Sequence, residues 1–478
     1  MTSLTQGMVK AGPSKRFFVS MMTRDIDLKD AILDLLDNCV DGIQRKLKGV
    51  EVDEKPYKEF WAKITANPSG FTIEDNCAGI PRKVAEESAF MLGRPLGKVG
   101  EIDKDLHTVG MYGIGMKRAI FKMGNTCTVY SNPYGEDQAF KVEISPDWME
   151  NESWELPISY GMSRSENFGT TLKVNGLYDS IARNFDENDS NFLEDLAAAI
   201  SQFYAVIMGK GFTVFLNEKL ISPVEIKLLS PMVLAPGIAP YVFSANIDEV
   251  ETELVVGFRR QLASERELDA EADQPKSSED AGWTIICNDR VVLYNDKGSL
   301  TGWGRSNVPK YHTQFISISG MVIFRSAKLF NLPLTTTKRG LDTDNKAYIV
   351  ALDYMMEGLK KFTDYTNRWK GREDETTQAF SQTTSVPATQ AAAKILQSDR
   401  MSVVRKLGSE VNARRFIPDL PYPEDKNPKR RIVYTRLAAE IEHLANHFFP
   451  GTPNVAPSDI GIRSFEKCLD IALRELKK

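Results

Sequence analysis

LKDAILDLLDNCVDGIQR, residues 28–45, reads as the core of an amphipathic helix over about 26–47. At about 100° per residue, Leu28, Ile32, Leu35, Cys39 and Ile43 share one face, and Asp30, Asp34, Asn38, Asp41 and Arg45 fall roughly opposite. Asp25 or Asp27 can cap the N-terminus, and Asp30 suits the dipole in the first turn. Packing explains the apolar stripe. The polar stripe reads two ways, as a solvated face or as a ligand face. Asp34 and Asn38 are four apart and so are neighbours on one turn. An amide oxygen is a hard ligand of the kind Mg²⁺ takes while it keeps several waters and binds substrate phosphates. A carboxylate one turn away can orient or deprotonate an attacking water.

Before the helix, residues 16–24 (RFFVSMMTR) read as a short strand or extended arm. After it, the alternation over 59–75 predicts a hairpin ending at Asp75. The next residues, Asn76-Cys77-Ala78-Gly79-Ile80, form a tight turn. A carboxylate at a strand end can accept from an exocyclic amine such as that of adenine, and Gly79 lets the backbone approach the base. The alternative is an ordinary Asp-Asn turn. Residues 91–115 are rich in glycine and charge, as a mobile loop would be. Within them Gly110, Gly113 and Gly115 precede a helix through Lys117, an order that suits a phosphate cradle. The pattern is neither a Walker A loop nor a dinucleotide fingerprint. Strands are expected at 125–131, 138–145 and 169–175, the last opening on Gly169-Thr170, and a helix at about 190–209 closes the domain. Thr170 can hydrogen-bond a buried purine.

These four elements, in this order, resemble the GHKL ATPases, over roughly residues 16–210. That superfamily includes gyrase-type topoisomerases, heat-shock chaperones, histidine kinases, MutL-type repair proteins and MORC proteins. The resemblance implies a Bergerat-fold α+β sandwich, a mixed sheet layered by helices, that binds ATP with Mg²⁺. It implies that Asn38 holds the metal, with Asp41 beside it, and that Asp75 reads adenine, with Gly79, Ile80 and Thr170 around it. Gly110, Gly113 and Gly115 would form a lid over the phosphates, and Lys117 would contact them or be a solvated helix residue. The family base is usually Glu; here Asp34 stands there, with about 1.5 Å less reach, so low turnover is expected. Cys77 stands where the family usually has glycine.

Residues 212–371 read as a transducer-like α/β domain with an acidic insert near 262–281. Its stretch LPLTTTKRGLD, residues 332–342, resembles the loop that sends a cation to the γ-phosphate, with Lys338 first and Arg339 second. ICNDRVVL, residues 286–293, resembles the transducer strand containing Asn and Arg, which leans towards the MutL and MORC side. Residues 372–393 read as a linker, and 394–478 as a small helical region. In it, His443 and His447 have metal-compatible spacing but no evident third ligand. Lys426–Arg431 is a local basic run, and Ile462, Phe465, Leu469, Ala472 and Leu476 lie at helical spacing.

The net charge of −5 gives no global field for nucleic acid, so DNA binding would rest on a local patch. None of the five cysteines forms a CxxC pair, which argues against a zinc or disulfide framework and fits a cytoplasmic setting. There is no run of 18 apolar residues and no signal-peptide core near the N-terminus. Three functions compete. The first is an ATP-gated conformational switch, dimerising with ATP and serving a partner effector or DNA in repair or anti-phage defence. The second is a nucleotide-sensing module with negligible hydrolysis, or a chaperone-like remodeller. A phosphotransferase is the third, with no acceptor site visible.

Overall fold

In the computed structural model the described residues are 14–50, 54–91, 114–151, 153–163, 166–232, 237–264, 267–268, 280–335, 338, 340–405, 411–423 and 432–476. The chain divides into two units, Met1–Tyr422 and Pro423–Lys478.

The first unit opens with α1 (Lys15–Arg24), where an extended arm was expected. Lys15, Val19 and Met22 are buried at helical spacing, and that stripe outweighs the strand-like composition. Lys15 donates to the Trp148 carbonyl at 2.6 Å, and Arg118 and Lys122 donate to the Met22 and Thr23 carbonyls at the other end. Helix α2 (Leu28–Lys46) follows as the stripes require. Asp27 occupies its N-cap position without a side-chain cap bond.

An eight-stranded sheet packs on α2 and on α3 (Gly115–Met123). Its strands are β1 (Trp61–Asn67), β2 (Gly70–Asp75), β3 (Gly124–Asn132), β4 (Ala139–Ile144), β5 (Ile158–Met162), β6 (Gly169–Leu177), β7 (Thr213–Leu216) and β8 (Lys219–Ile221). Their order is β5-β4-β3-β6-β2-β1-β7-β8. The hairpin of β1 and β2 and the strands around 125–131, 138–145 and 169–175 lie where the alternation put them. In β1, Ala62, Ile64 and Ala66 face the helices, whereas Lys63 and Thr65 are exposed, so one sheet face is covered and the other is wet. The sheet extends to Ile221, past the expected boundary at 211, because β7 adds in parallel to β1.

The helix expected at 190–209 is two, α4 (Phe192–Phe203) and α5 (Ala205–Gly209), broken at Tyr204. The Tyr204 hydroxyl reaches the Leu33 carbonyl at 2.6 Å and Asp37 Oδ1 at 2.5 Å, and these bonds hold the break.

A second sheet has seven strands. Before it, β9 (Lys227–Pro231) pairs separately with β15 (Thr383–Pro387). The seven strands are β10 (Tyr241–Ile247), β11 (Val250–Phe258), β12 (Gly282–Cys287), β13 (Arg290–Asp296), β14 (Ile318–Arg325), β16 (Ser402–Val403) and β17 (Arg414–Phe416), and their order is β13-β12-β14-β11-β10-β17-β16. The long helix α6 (Lys346–Trp369) covers one face, with Tyr354 stacked on Phe243 at 3.9 Å. On the other face lies α7 (Ala388–Leu396). Burial on both faces explains why β14 is apolar nearly throughout. The acidic insert joins β11 to β12, and most of it lies outside the described residues.

Two expectations are corrected here. Residues 372–393 are not a linker: 383–387 form a strand, and Ala388, Ala391, Ala392 and Ile395 bury one face of α7. Small alanines pack closely against a sheet, which a composition reading misses. Residues 394–422 are not simply helical either, since β16 and β17 close the sheet.

The second unit contains α8 (Ala438–Phe448) and α9 (Pro457–Glu475). Of α9, only Ile460 is buried; Ile462, Phe465, Leu469 and Leu476 are exposed. His443 and His447 are exposed, and no third His, Cys, Asp or Glu joins them among the described residues. Lys426–Arg431 lies outside those residues. Among the described residues no helix is long and apolar enough to cross a membrane.

Candidate nucleotide site

The polar stripe of α2 is only partly wet. Asn38 is exposed and Asp34 half-buried, but Asp41 is buried, as is Asp37 beside the stripe. A buried carboxylate needs partners, so this face is a contact surface rather than a solvated one.

One end of the site forms where β2 stops. Asp75 Oδ1 accepts from the Cys77 N–H at 2.7 Å and the Thr170 N–H at 3.3 Å. Oδ2 lies 3.5 Å from the Cys39 thiol on α2. One oxygen is thus fixed by backbone, and the other keeps acceptor capacity. Burial pushes the Asp75 pKa up to about 6, against the lowering effect of those two N–H groups. Burial likewise pushes up the Cys77 thiol.

The turn beyond Asp75 is left-handed at Ala78 and Gly79, with φ of 73° and 69°. Cys77 is not among the positive-φ residues, so it tolerates the place that glycine usually holds. A Cβ on Gly79 would come 2.7 Å from the Asn132 carbonyl oxygen. The Ile80 N–H bonds Ser131 Oγ at 2.7 Å and fixes the exit. Gly42, in mid-helix, lets α2 press on this turn: a Cβ there would lie 2.2 Å from the Cys77 carbonyl oxygen.

Gly169 is the tightest position. A Cβ on it would fall 1.7 Å from the Asp75 carbonyl oxygen. Gly169→Ala is therefore expected to force β6 from β2 and to cost about 3 kcal/mol or more. Chemical denaturation checks this; unfolding at the wild-type midpoint would mean that the two strands are not this close.

At the other end, Gly115 opens α3 directly against Asp34. A Cβ on Gly115 would lie 3.1 Å from Asp34 Oδ2. The N–H groups of this first turn have no intrahelical partners. Lys117, within that first turn, is buried and donates to the Ala89 carbonyl at 2.8 Å, so here it ties α3 to the segment before the glycines. Gly110 and Gly113 lie outside the described residues.

The second sheet reaches into this site. Lys338 Nζ lies 3.2 Å from Asp34 Oδ1 and 2.7 Å from Asp37 Oδ2. Its loop is closed by the Thr335 N–H on the Gly340 carbonyl at 3.1 Å, and Lys338 itself is left-handed at φ 57°. Burial alone would lower the Lys338 pKa; Asp37, Asp34 and Asp41 outweigh it and hold the ammonium above the ordinary lysine value. Arg339 lies outside the described residues.

Asp37 is the residue that the stripe reading missed. Its Oδ1 accepts from the Tyr204 hydroxyl at 2.5 Å and from Arg290 Nε at 2.9 Å. Arg290 also donates to the Phe203 carbonyl at 3.1 Å and lies 4.4 Å from the Tyr204 ring centroid. Burial would raise the Asp37 pKa, but Lys338 and Arg290 outweigh it and keep the carboxyl below its usual range. Beside it, the hairpin tip residue Asp289 pairs with Lys210 at 2.5 Å. Side chains from α2, the α4–α5 break and β13, with that of Lys338, thus meet at one carboxylate.

No curated protein matches the chain. Residues 26–171 match the family model described as Histidine kinase-, DNA gyrase B-, and HSP90-like ATPase. The matched segment contains Asp34 and Asn38, the Asp75–Gly79 turn, the glycines at 110–115 and Gly169-Thr170. The structure joins the first, second and last of these through contacts of α2 with the Cys77 turn and of Asp75 with Thr170, and it seats Gly115 on Asp34. This part of the chain is a GHKL-type ATPase domain, a class of ATP-binding domain.

Proposed function

We propose that the domain binds Mg²⁺-ATP between Asp75 and the start of α3, and that the second sheet senses the nucleotide through Lys338. The observation that carries this reading is the Lys338 ammonium 3.2 Å from Asp34 Oδ1. A cation from another sheet, set beside the carboxylate in the base position, is where it could meet a terminal phosphate. Asp75 Oδ2 accepts the adenine amine. The exposed amide of Asn38, a hard donor, fits Mg²⁺, which neutralises phosphate charge when bound. Asp34 takes the proton of the attacking water, and Lys338 turns from Asp34 towards the charge that develops on the phosphate. Lys117, released from the Ala89 carbonyl, contacts a phosphate.

Such a pocket acts as a switch. ATP draws Lys338 off the α2 carboxylates, shifts the second sheet and favours a homodimer; phosphate release resets the state. The switch serves a partner effector or DNA. Both Lys338→Ala and Asp34→Ala are expected to keep ATP binding by calorimetry while phosphate release falls about 100- to 1,000-fold. Loss of binding in Asp34→Ala, or unchanged turnover in Lys338→Ala, would overturn these roles. A second reading draws on the short Asp34 and its pairing with Lys338: a sensor that binds ATP without turnover. Wild-type protein that binds ATP and releases no phosphate, with or without DNA, would select it.

A further inference from the structure

Two cysteines distant in sequence meet at the floor of the site. Cys39 and Cys77 are both buried, and their sulfurs and an Asp75 carboxylate oxygen all lie within 4.8 Å of one another. The Cys39 sulfur is 3.5 Å from Asp75 Oδ2. No other such group of His, Cys, Asp and Glu occurs among the described residues. A tetrahedral ion at about 2.3 Å from sulfur and about 2.1 Å from oxygen sets its ligands roughly 3.5 to 3.8 Å apart. The observed spacing needs only small side-chain rotations to meet that. Two thiolates and a carboxylate are a soft, anionic donor set, suited to Zn²⁺ or Cd²⁺ and not to Mg²⁺. Bound to a divalent ion, the set carries one residual negative charge, and Arg45 and Lys46 are the cations that act on it. Asp75 is half-buried while both sulfurs are buried, so an ion enters past the carboxylate, from the nucleotide side.

We propose that Cys39, Cys77 and Asp75 form a binding site for one thiophilic divalent cation, of the Zn²⁺ and Cd²⁺ class, that competes with ATP. Each thiol gives its proton to solvent as its sulfur binds the ion. The ion takes the Asp75 oxygen that adenine would use, so the competition, though not the site, rests on the adenine role of Asp75. The third ligand separates this arrangement from a pair of thiols placed only for a disulfide.

The test is a Cd²⁺ titration of the full chain in a Cys468→Ser background, because Cys468 is exposed and would bind Cd²⁺ adventitiously. The expected result is one Cd²⁺ per chain with an ultraviolet thiolate-to-cadmium band and proton release. Cys39→Ser and Cys77→Ser should each weaken binding by more than the roughly 10- to 100-fold that loss of an outer-shell partner costs. Cys127→Ser, on β3, should leave it unchanged. Circular dichroism without metal checks that each variant is folded, and Cys77→Ala replaces either serine variant that is not. A band that survives in folded Cys39→Ser and Cys77→Ser, or no band in the parent, overturns the site. With ATP and Mg²⁺ present, the apparent Cd²⁺ affinity should fall in proportion to ATP occupancy. A cysteine-dependent band that saturating ATP leaves unmoved would keep the site and overturn the competition, and with it the adenine role of Asp75.

Discussion

Asp75→Asn is expected to lose ATP affinity by at least about 100-fold and, in the same protein, to raise the melting temperature of the nucleotide-free state at neutral pH. The two effects share one cause. Burial lifts the Asp75 pKa from 3.8 to about 6, so the folded chain holds the ionised carboxylate at a cost of at most about 3 kcal/mol. A carboxyl whose folded pKa exceeds its unfolded value binds protons more tightly when native. Its contribution is therefore complete below about 3.8 and is lost as pH rises through about 6. Asparagine keeps an oxygen for the Cys77 and Thr170 N–H groups but carries no charge. It also turns an N–H₂ towards the place where adenine would present its own, which leaves two donors facing each other. Binding and stability should then have opposite pH dependence in the wild type. ATP affinity should fall as pH drops through about 6, well above the ordinary carboxylate value of 3.8. The variant should show neither slope near that pH. Calorimetry and thermal melts across this window decide it. Wild-type affinity that stays flat down to pH 5, below the raised value of about 6, would remove Asp75 from adenine recognition.

How far the sequence led depends on the range over which each signal acts. Helix α2, the hairpin of β1 and β2 and the turn at Gly79 are local patterns, and each lies where its periodicity or turn chemistry put it. Gly42 carried a readable signal that went unused. A glycine in mid-helix costs about 1 kcal/mol against alanine, so it invites a reason, and the reason is the Cys77 carbonyl. Gly169 is different, because only the register of β6 on β2 reveals what a methyl group would strike. The N-terminal arm misled through composition: Phe17, Phe18 and Val19 favour strand, whereas Lys15, Val19 and Met22 already spell one helical face. Spacing rules for cysteine look along the chain, so they could not pair Cys39 with Cys77. Asp37 was the least legible. Its partners Tyr204, Arg290 and Lys338 are 167, 253 and 301 residues away. Nothing within a helical turn distinguishes it from the carboxylates beside it.

That long reach makes Asp37→Ala the most destabilising change expected in the site. Asp37 is fully buried and answers two cations at once, Arg290 at 2.9 Å and Lys338 at 2.7 Å. Removing one partner of a buried pair costs about 3 to 5 kcal/mol, chiefly because the other charge is left without an answer. Here Arg290 is left so, Lys338 keeps only Asp34, and the Tyr204 hydroxyl loses one of its two acceptors. Arg290 belongs to β13 and Lys338 to a loop after β14, so the loss should loosen the second sheet from α2 rather than unfold either locally. Urea unfolding of Asp37→Ala should accordingly show an earlier transition. The double variant Asp37→Leu/Arg290→Met should recover much of the stability by replacing charge with apolar volume. Its Lys338 would keep only Asp34 of the two carboxylates it pairs with. The sign with pH also follows. The Asp37 pKa is depressed, so its contribution is present above the usual carboxylate range and is lost as pH falls through its lowered folded value. The gap between wild type and Asp37→Ala should hold from neutral pH to the weakly acidic range and close only in stronger acid. A gap below about 1 kcal/mol at neutral pH would place Asp37 among ordinary surface pairs, and the coupling of α2 to the second sheet would then need another carrier.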